Sequence, residues 1–252
     1  MTISEMHVWF RQYAQQMGMQ NVRAILPEQI DLLINSSITD TINQIITQNI
    51  GVTNDRVVTD NSKVGQVNSL RTLYKATNVE ASNFTSTVIN KYSTKLSCNI
   101  DDIDIDPLYL VDFSIDYKNE DFQTNLFPIR LIDDIFLADV LNDFVLKPRF
   151  RSPIITIVNN NLDIYLGEPE PSLNPNIIRI SYIAKPVKVK YNLDTGGKNV
   201  DSDMPEHLHE DIVRHAVELW QAAIANSIVS ENNRQRQNQY ENVRNTNRNE
   251  YN

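Results

Sequence analysis

Cysteine, glycine and long apolar runs are what this 252-residue chain has least of. Its single cysteine, Cys98, excludes an internal disulfide framework and a thiolate zinc site. Glycine is scarce at six, and no P-loop, dinucleotide fingerprint, G-x-S-x-G elbow or Cys-His arrangement occurs. No run approaches the ~18 apolar residues of a membrane-spanning helix. The opening stretch MTISEMHVWFRQYAQQ carries Glu5 and Arg11 in its first turns, unlike a secretory signal. Positive charge is also in deficit, with 23 Lys and Arg against 32 Asp and Glu and a net charge of −9. Binding driven by phosphate neutralisation needs clustered cations, so the balance argues against a DNA- or RNA-binding protein. These absences predict a soluble, intracellular product with no membrane contact.

What the chain does hold is 41% apolar residues, enough for a substantial core, and thirty asparagines. Thr2 and Glu5 have capping-box spacing, and Met6, Phe10, Tyr13 and Met17 recur at helical steps up to Gly18. Pro27 opens a second expected helix with the stripe Ile30, Leu33, Ile34, Ile38, Ile42, Ile45, Ile46 and a C-cap at Gly51. A short helix is expected through Val67, Leu70, Leu73 and Tyr74. The stretch YLVDFSIDY alternates, with Tyr109, Val111, Phe113, Ile115 and Tyr117 on one face, and predicts a half-buried strand. LFPIRLIDDIFLADVLNDFV returns to helical spacing through Leu131, Ile135, Val140 (or Ala138), Leu141 and Phe144. PIITIV and LDIYLG, joined by Asn159, Asn160 and Asn161, predict a hairpin. A further strand carries Ile178, Ile180 and Tyr182 on one face, and Pro186 marks an edge or a bend.

The last expected helix, DMPEHLHEDIVRHAVELWQAAIANSIV, begins with acidic residues that suit the positive end of its dipole. One apolar stripe runs through Leu208, Ile212, Ala216, Leu219 and Ala223, and a second through Val213, Val217, Trp220, Ile224 and Ile228. Two stripes together exceed the usual apolar arc, so the helix is expected to pack on two sides. A subunit interface would require such packing, and a helix central to its own bundle would show it too; the candidate subunit interface is Leu208, Ile212, Val213, Val217, Trp220 and Ile224. The expected fold class is α+β: a helical bundle from both chain termini, an inserted antiparallel β-rich domain and an extended C-terminal tail. The divisions fall at 1–85, 86–199, 200–230 and 231–252. The tail holds eight Asn, three Gln and four Arg, and cannot bury enough apolar surface to offset its own ordering.

Three constellations invite chemistry. HLHEDIVRH contains His207, His209, Glu210, Asp211 and His215, but the position four after His209 is Val213, so the zincin pattern fails. Asp211 and His215 stand one turn apart, as a local pair would. Asp102, Asp104 and Asp106 have calcium-loop spacing, yet Pro107 occupies the glycine position and Phe113 that of the bidentate Glu. Their alternation fits the solvent face of a strand. Asp194-Thr195-Gly196-Gly197 occurs once, where an aspartic protease needs two copies, and suits a turn. No metal, no cofactor and no catalytic residue is expected, and the chain is read as a non-enzyme.

The order of segments from 107 to 228 carries more than any single motif. YLVDFSIDY, RLIDDIFLADVLNDFVLKP, RSPIITIVNNNLDIYLG, IIRISYIAKPVKV and MPEHLHEDIVRHAVELWQAAI follow one another. This order resembles the head-to-tail connector ring proteins of crAss-like bacteriophages, most closely in the Y-I-x-K-P strand ending at Lys185 and Pro186 and in the M-P-E-H-L-H-x-x-I-V helix. The resemblance spans roughly the second half of the chain. It implies a virion protein at the portal vertex, a portal adaptor assembled as a ring of twelve copies that passes DNA through its lumen without specific binding. It also implies that the tail docks on the portal protein, with Arg234, Arg236, Arg244 and Arg248 meeting carboxylates and Tyr240 and Tyr251 as anchors. Neighbouring tail ring proteins are the further expected partners. The alternatives are a lower ring or stopper of the same connector, or a non-viral protein-interaction module.

Overall fold

The computed structural model describes residues 1–18, 25–49, 58–59, 67–90, 93–118, 126–167, 174–193 and 197–225. The fold is mixed α+β. In chain order the elements are α1 (Ile3–Gln16), α2 (Pro27–Asn49), β1 (Val58–Thr59), β2 (Tyr74–Glu80), β3 (Thr85–Asn90), β4 (Ser93–Asn99), β5 (Pro107–Lys118) and β6 (Leu126–Ile132). Then come α3 (Leu137–Asn142), β7 (Ile154–Val158), β8 (Asn161–Leu166), β9 (Asn174–Ala184) and α4, residues 209–225. They sort into two compact units. The first holds Met1–Thr41, Val187–Ser202 and the chain from Glu206 on, and the second holds Ile42–Pro186 with Asp203–Pro205. These units divide the chain near 41 and 186. Tyr74–Glu80 pairs along its whole length with β9, which ties it to the sheet, and residues 187–202 hydrogen-bond to α1 and α2.

In the first unit the expected capping box forms: the Thr2 hydroxyl accepts from Glu5 N–H at 3.3 Å and the Glu5 carboxylate accepts from Thr2 N–H at 2.8 Å. Those bonds from Thr2 hold the Glu5 carboxyl below its ordinary pKa. The buried face of α1 is Ile3, Met6, His7, Phe10 and Ala14. It is rotated from the expected stripe, for Tyr13 is half-buried and Met17 lies exposed beyond the helix end. Gly18, at φ +78°, turns the chain away in the left-handed region that favours glycine. On α2 the buried line is Ile30, Ile34, Ile38, Ile42 and Ile46, with Leu33 and Ile45 at its margins. The expected cap at Gly51 lies outside the described residues.

The second unit is built on one sheet of order β2-β9-β5-β6-β7-β8-β4-β3, with β1 pairing β6 off that path. β6 is its corner. Its first residues pair antiparallel with β5, while Arg130 and Leu131 run parallel to β7. Phe113, Ile115, Ile178 and Ile180 from one half share a core with Leu96, Ile155, Leu162 and Ile164 from the other, so the sheet curls about it. The opposite face of β7 and β8 presents Ile154 and Tyr165, and α3 covers them with Val140, Leu137 and Leu141. The β7–β8 hairpin turns on Asn159 and Asn160, at φ 49° and 63°, a two-residue type I′ geometry that Asn tolerates.

Three local expectations are corrected here. Residues 67–74 form only a 3-10 turn, Asn68–Leu70, before β2 begins at Tyr74. Leu70 and Leu73 are still buried, but β9 offers Tyr74 onward a full ladder. The long helix expected from Leu131 to Phe144 shrinks to the six residues of α3, and Leu126–Ile132 is strand because β5 and β7 pair with it. Ile135 and Phe144, expected on its apolar face, are exposed. Asp102 closes a 3-10 turn, Ile100–Asp102, and β5 begins only at Pro107, so the aspartates line a turn and not a strand face. Pro186 marks a bend, since β9 ends at Ala184 and lies between β2 and β5.

Candidate functional site

The residues expected to make contacts with other subunits sit on α4, apart from Leu208 just before it, and the local helix follows from good formers behind an acidic first turn. A 3-10 turn, Glu206–Leu208, leads into it. Ile212, Val213, Ala216 and Val217 are covered by the chain itself. Leu208, Leu219, Trp220 and Ile224 are half-buried and Ala223 is exposed. Any contact with another molecule through α4 therefore has Leu208, Trp220 and Ile224 to use, while Ile212, Val213 and Val217 already belong to this unit's core. The Trp220 ring lies 5.9 Å from that of Phe10 on α1. Ile228 and the tail positions Arg234, Arg236, Tyr240, Arg244, Arg248 and Tyr251 lie outside the described residues.

Polar side chains lock α4 to its neighbours. The Ser37 hydroxyl, fully buried on α2, donates to the Ile212 carbonyl at 2.7 Å. Tyr13 donates to the Glu210 carboxylate at 2.9 Å, and Arg214 donates to the same oxygen at 2.6 Å with its guanidinium 5.2 Å from the Tyr13 ring. His215 stands 3.5 Å from Asp40 on α2 and 3.5 Å from Glu218, so the local pair expected with Asp211 is replaced by partners on two helices. His209 is buried and His207 exposed. Among the described residues, no three His, Cys, Asp or Glu side chains converge as a metal site requires. In the second unit Asp106 pairs with Lys185.

The segment 187–202 is fastened to α1 and α2 by groups that the sequence reading missed. Asn35 donates to the Val189 carbonyl at 3.0 Å and accepts from Val189 N–H at 2.9 Å, copying a strand partner with one amide. Asp31 accepts from Tyr191 N–H at 3.0 Å through one oxygen and meets His7 Nε2 at 2.8 Å through the other. The His7 ring packs 4.8 Å from that of Tyr191. Burial holds the His7 pKa below its ordinary value; the hydrogen bond to Asp31 opposes the shift and Arg11 adds to it. Asp201 accepts from Ile3 N–H at 2.7 Å, at the start of α1. The missed signal was the polar letters Asp31, Asn35 and Ser37 inside an isoleucine stripe. Lys190 and Val200 then bond to each other across the 187–202 segment; of the Asp-Thr-Gly-Gly stretch, Gly197 alone is described.

These groups bind backbone and one another. Both oxygens of the Asp31 carboxylate are engaged, one by Tyr191 N–H of the 187–202 segment and the other by His7 Nε2 of α1. A scan of protein-family models found no match for the chain, and no curated protein matches it.

Proposed function

We propose that the chain is a structural virion protein, a head-to-tail adaptor that assembles as a ring between a phage portal and its tail. The observation that carries the reading is the nesting of one unit within the other. Both ends of the chain contribute to the first unit, and Ile42–Pro186 is inserted between them. A terminal helical bundle with a β-rich insertion is the architecture that the resemblance to crAss-like connector proteins implies. The likeness is strongest in the Y-I-A-K-P end of β9 and the M-P-E-H-L-H start of the last helix, the two ends of the 187–202 fastening. The negative balance of the chain suits a lumen through which DNA passes, since like charge keeps phosphate from adhering. The role is structural, the site of action is the portal vertex, and residues 231–252 reach the portal.

The test is assembly with the portal protein of the same particle. Full-length chain mixed with portal rings should give a second ring on the portal by electron microscopy and mass measurement. Chain truncated after Ser230 should remain folded and fail to bind. A full-length chain that leaves portal rings bare at high concentration sinks the reading, as does tailed-particle assembly that proceeds normally without this protein.

A further inference from the structure

Among the described residues the three most exposed large apolar side chains are Ile135 at 86%, Phe144 at 78% and Val145 at 73%. All lie on one short stretch of the second unit, with Phe136 beside Ile135 and α3 between the two pairs. The stretch is held stiffly. Val140 and the partly buried Leu146 pack on Ile132, Ile154 and Tyr165. The Arg130 guanidinium donates to the Leu146 carbonyl at 2.7 Å, and the Asp143 carboxylate accepts from Val145 and Leu146 N–H at 2.6 and 2.8 Å. Arg149 donates to the Phe144 carbonyl at 3.3 Å. Apolar groups displayed this openly on a fixed frame lose little conformational freedom when covered, which favours docking.

The surrounding charge says what covers them. Asp133, Asp134 and Asp139 are exposed on the N-terminal side of the display, and Lys147 and Arg149 lie on the C-terminal side, where residues 144–153 contain no Asp or Glu. An apolar centre with a rim of both signs is the anatomy of a protein–protein contact. The chain carries the complement to the cationic side. Asp101, Asp102 and Asp104 are exposed in the turn between β4 and β5, and none of them forms an ion pair among the described residues.

That turn and the apolar display occupy opposite ends of the same strands. Ile100 N–H donates to the Asn160 carbonyl at 2.8 Å, which sets the turn beside the β7–β8 tip. At the other end, where Ile154 pairs with Tyr165, the backbone of Arg149 runs so close to Gly167 that a Cβ there would sit 2.7 Å from the Arg149 Cα. The five residues of β7 separate the ends by roughly 16 Å.

We propose that the face formed by Ile135, Phe136, Phe144 and Val145, with Lys147 and Arg149 at its rim, docks on the Asp101–Asp104 end of a second copy of this chain. The contact joins unlike surfaces, so it propagates from copy to copy and closes into a ring where the rotation permits. It rests on the adaptor reading and names the surfaces that join its subunits.

Sedimentation velocity and mass measurement of the full chain test it, alone and with portal. Phe144→Asp, Lys147→Glu, and the pair Asp102→Lys with Asp104→Lys all alter exposed positions and should leave the thermal transition in place. Each should raise the concentration for half-assembly at least about tenfold, and mixing the two charge-reversed chains should restore joint assemblies. The contact is overturned by a wild-type chain that stays monomeric under both conditions, or by Phe144→Asp assembling as the wild type does. It is overturned equally if the face binds anionic vesicles or duplex DNA and Phe144→Asp abolishes that binding. Rings that form on the portal unchanged in all three variants sink this contact and leave the adaptor reading standing. Copies that join through this face but never engage a portal do the reverse.

Discussion

Single residues decide the local geometry at several points, and two substitutions expose them. Asn160 holds φ at 63°, where a β-branched side chain clashes with its own backbone. Asn160→Val should cost about 1–2 kcal/mol in urea unfolding, and Asn160→Gly should be close to neutral. Gly167→Ala places a methyl against the Arg149 backbone, which cannot yield as a flexible side chain could. It should cost about 1–3 kcal/mol by overpacking. His7 gives the chain a pH dependence whose sign follows from its surroundings. Burial lowers its folded pKa, so the unfolded chain takes up the proton first as pH falls. The stability involved is present above the ordinary imidazole value of about 6.5 and is lost as pH drops below it toward the folded value. His7→Gln removes this titration. The gap in thermal midpoint between wild type and His7→Gln should shift against the wild type from pH 7.5 to pH 5.5. A gap that stays constant, or moves the other way, would show that His7 is charged in the folded protein.

At the scale of elements, α4 separates residues of similar character by what covers them. Ile212 is fully buried and its carbonyl receives the Ser37 hydroxyl, whereas Trp220 is half-buried and touches Phe10 from one side. Ile212→Ala should cost about 2–5 kcal/mol through lost transfer energy and a cavity. Trp220→Ala should cost less in the isolated chain, about 1–2 kcal/mol, because part of its surface never left water. Chemical denaturation of both variants checks the order, and a larger loss at Trp220 would mean that its environment is more closed than its exposure indicates. β6 shows why the helical reading of 126–145 misled. Leucine and isoleucine satisfy either period over a few residues, and β5 and β7 pair with the six positions from Leu126 to Leu131, which an isolated short helix would leave marginal. α2 was easier to read, since its stripe includes Leu33 and Ile45, which a strand would turn to the face opposite Ile30, Ile34, Ile38, Ile42 and Ile46.

For the whole molecule, nothing in the described residues calls for a metal, since no three ligands converge. Treatment with EDTA should leave both the thermal midpoint and the assembled mass unchanged, and zinc or calcium retained in stoichiometric amount after purification would contradict this. The division into two units has its own consequence, because α2 and the bend after β9 run from one into the other. The fastening of 187–202 by Asp31, Asn35 and Asp201 acts within the first unit.

Local letters were sufficient for much of this. The capping box at Thr2 and Glu5, the two long amphipathic helices near the chain ends, the alternation of β5 and the asparagine turn of the β7–β8 hairpin all arise from contacts a few residues apart. Short-range sterics and hydrogen bonding are written in adjacent residues, so they survive reading without a partner in view. Tertiary structure alone decided the rest. Which helical stripe faces inward on α1, that 126–132 is strand, and that Asp31 and Asn35 grip a segment 160 and 154 positions away along the chain all depend on partners distant in sequence. So does the exposure of Phe144. Apolar character shows that a side chain gains from leaving water, and only the packed neighbours determine whether it does.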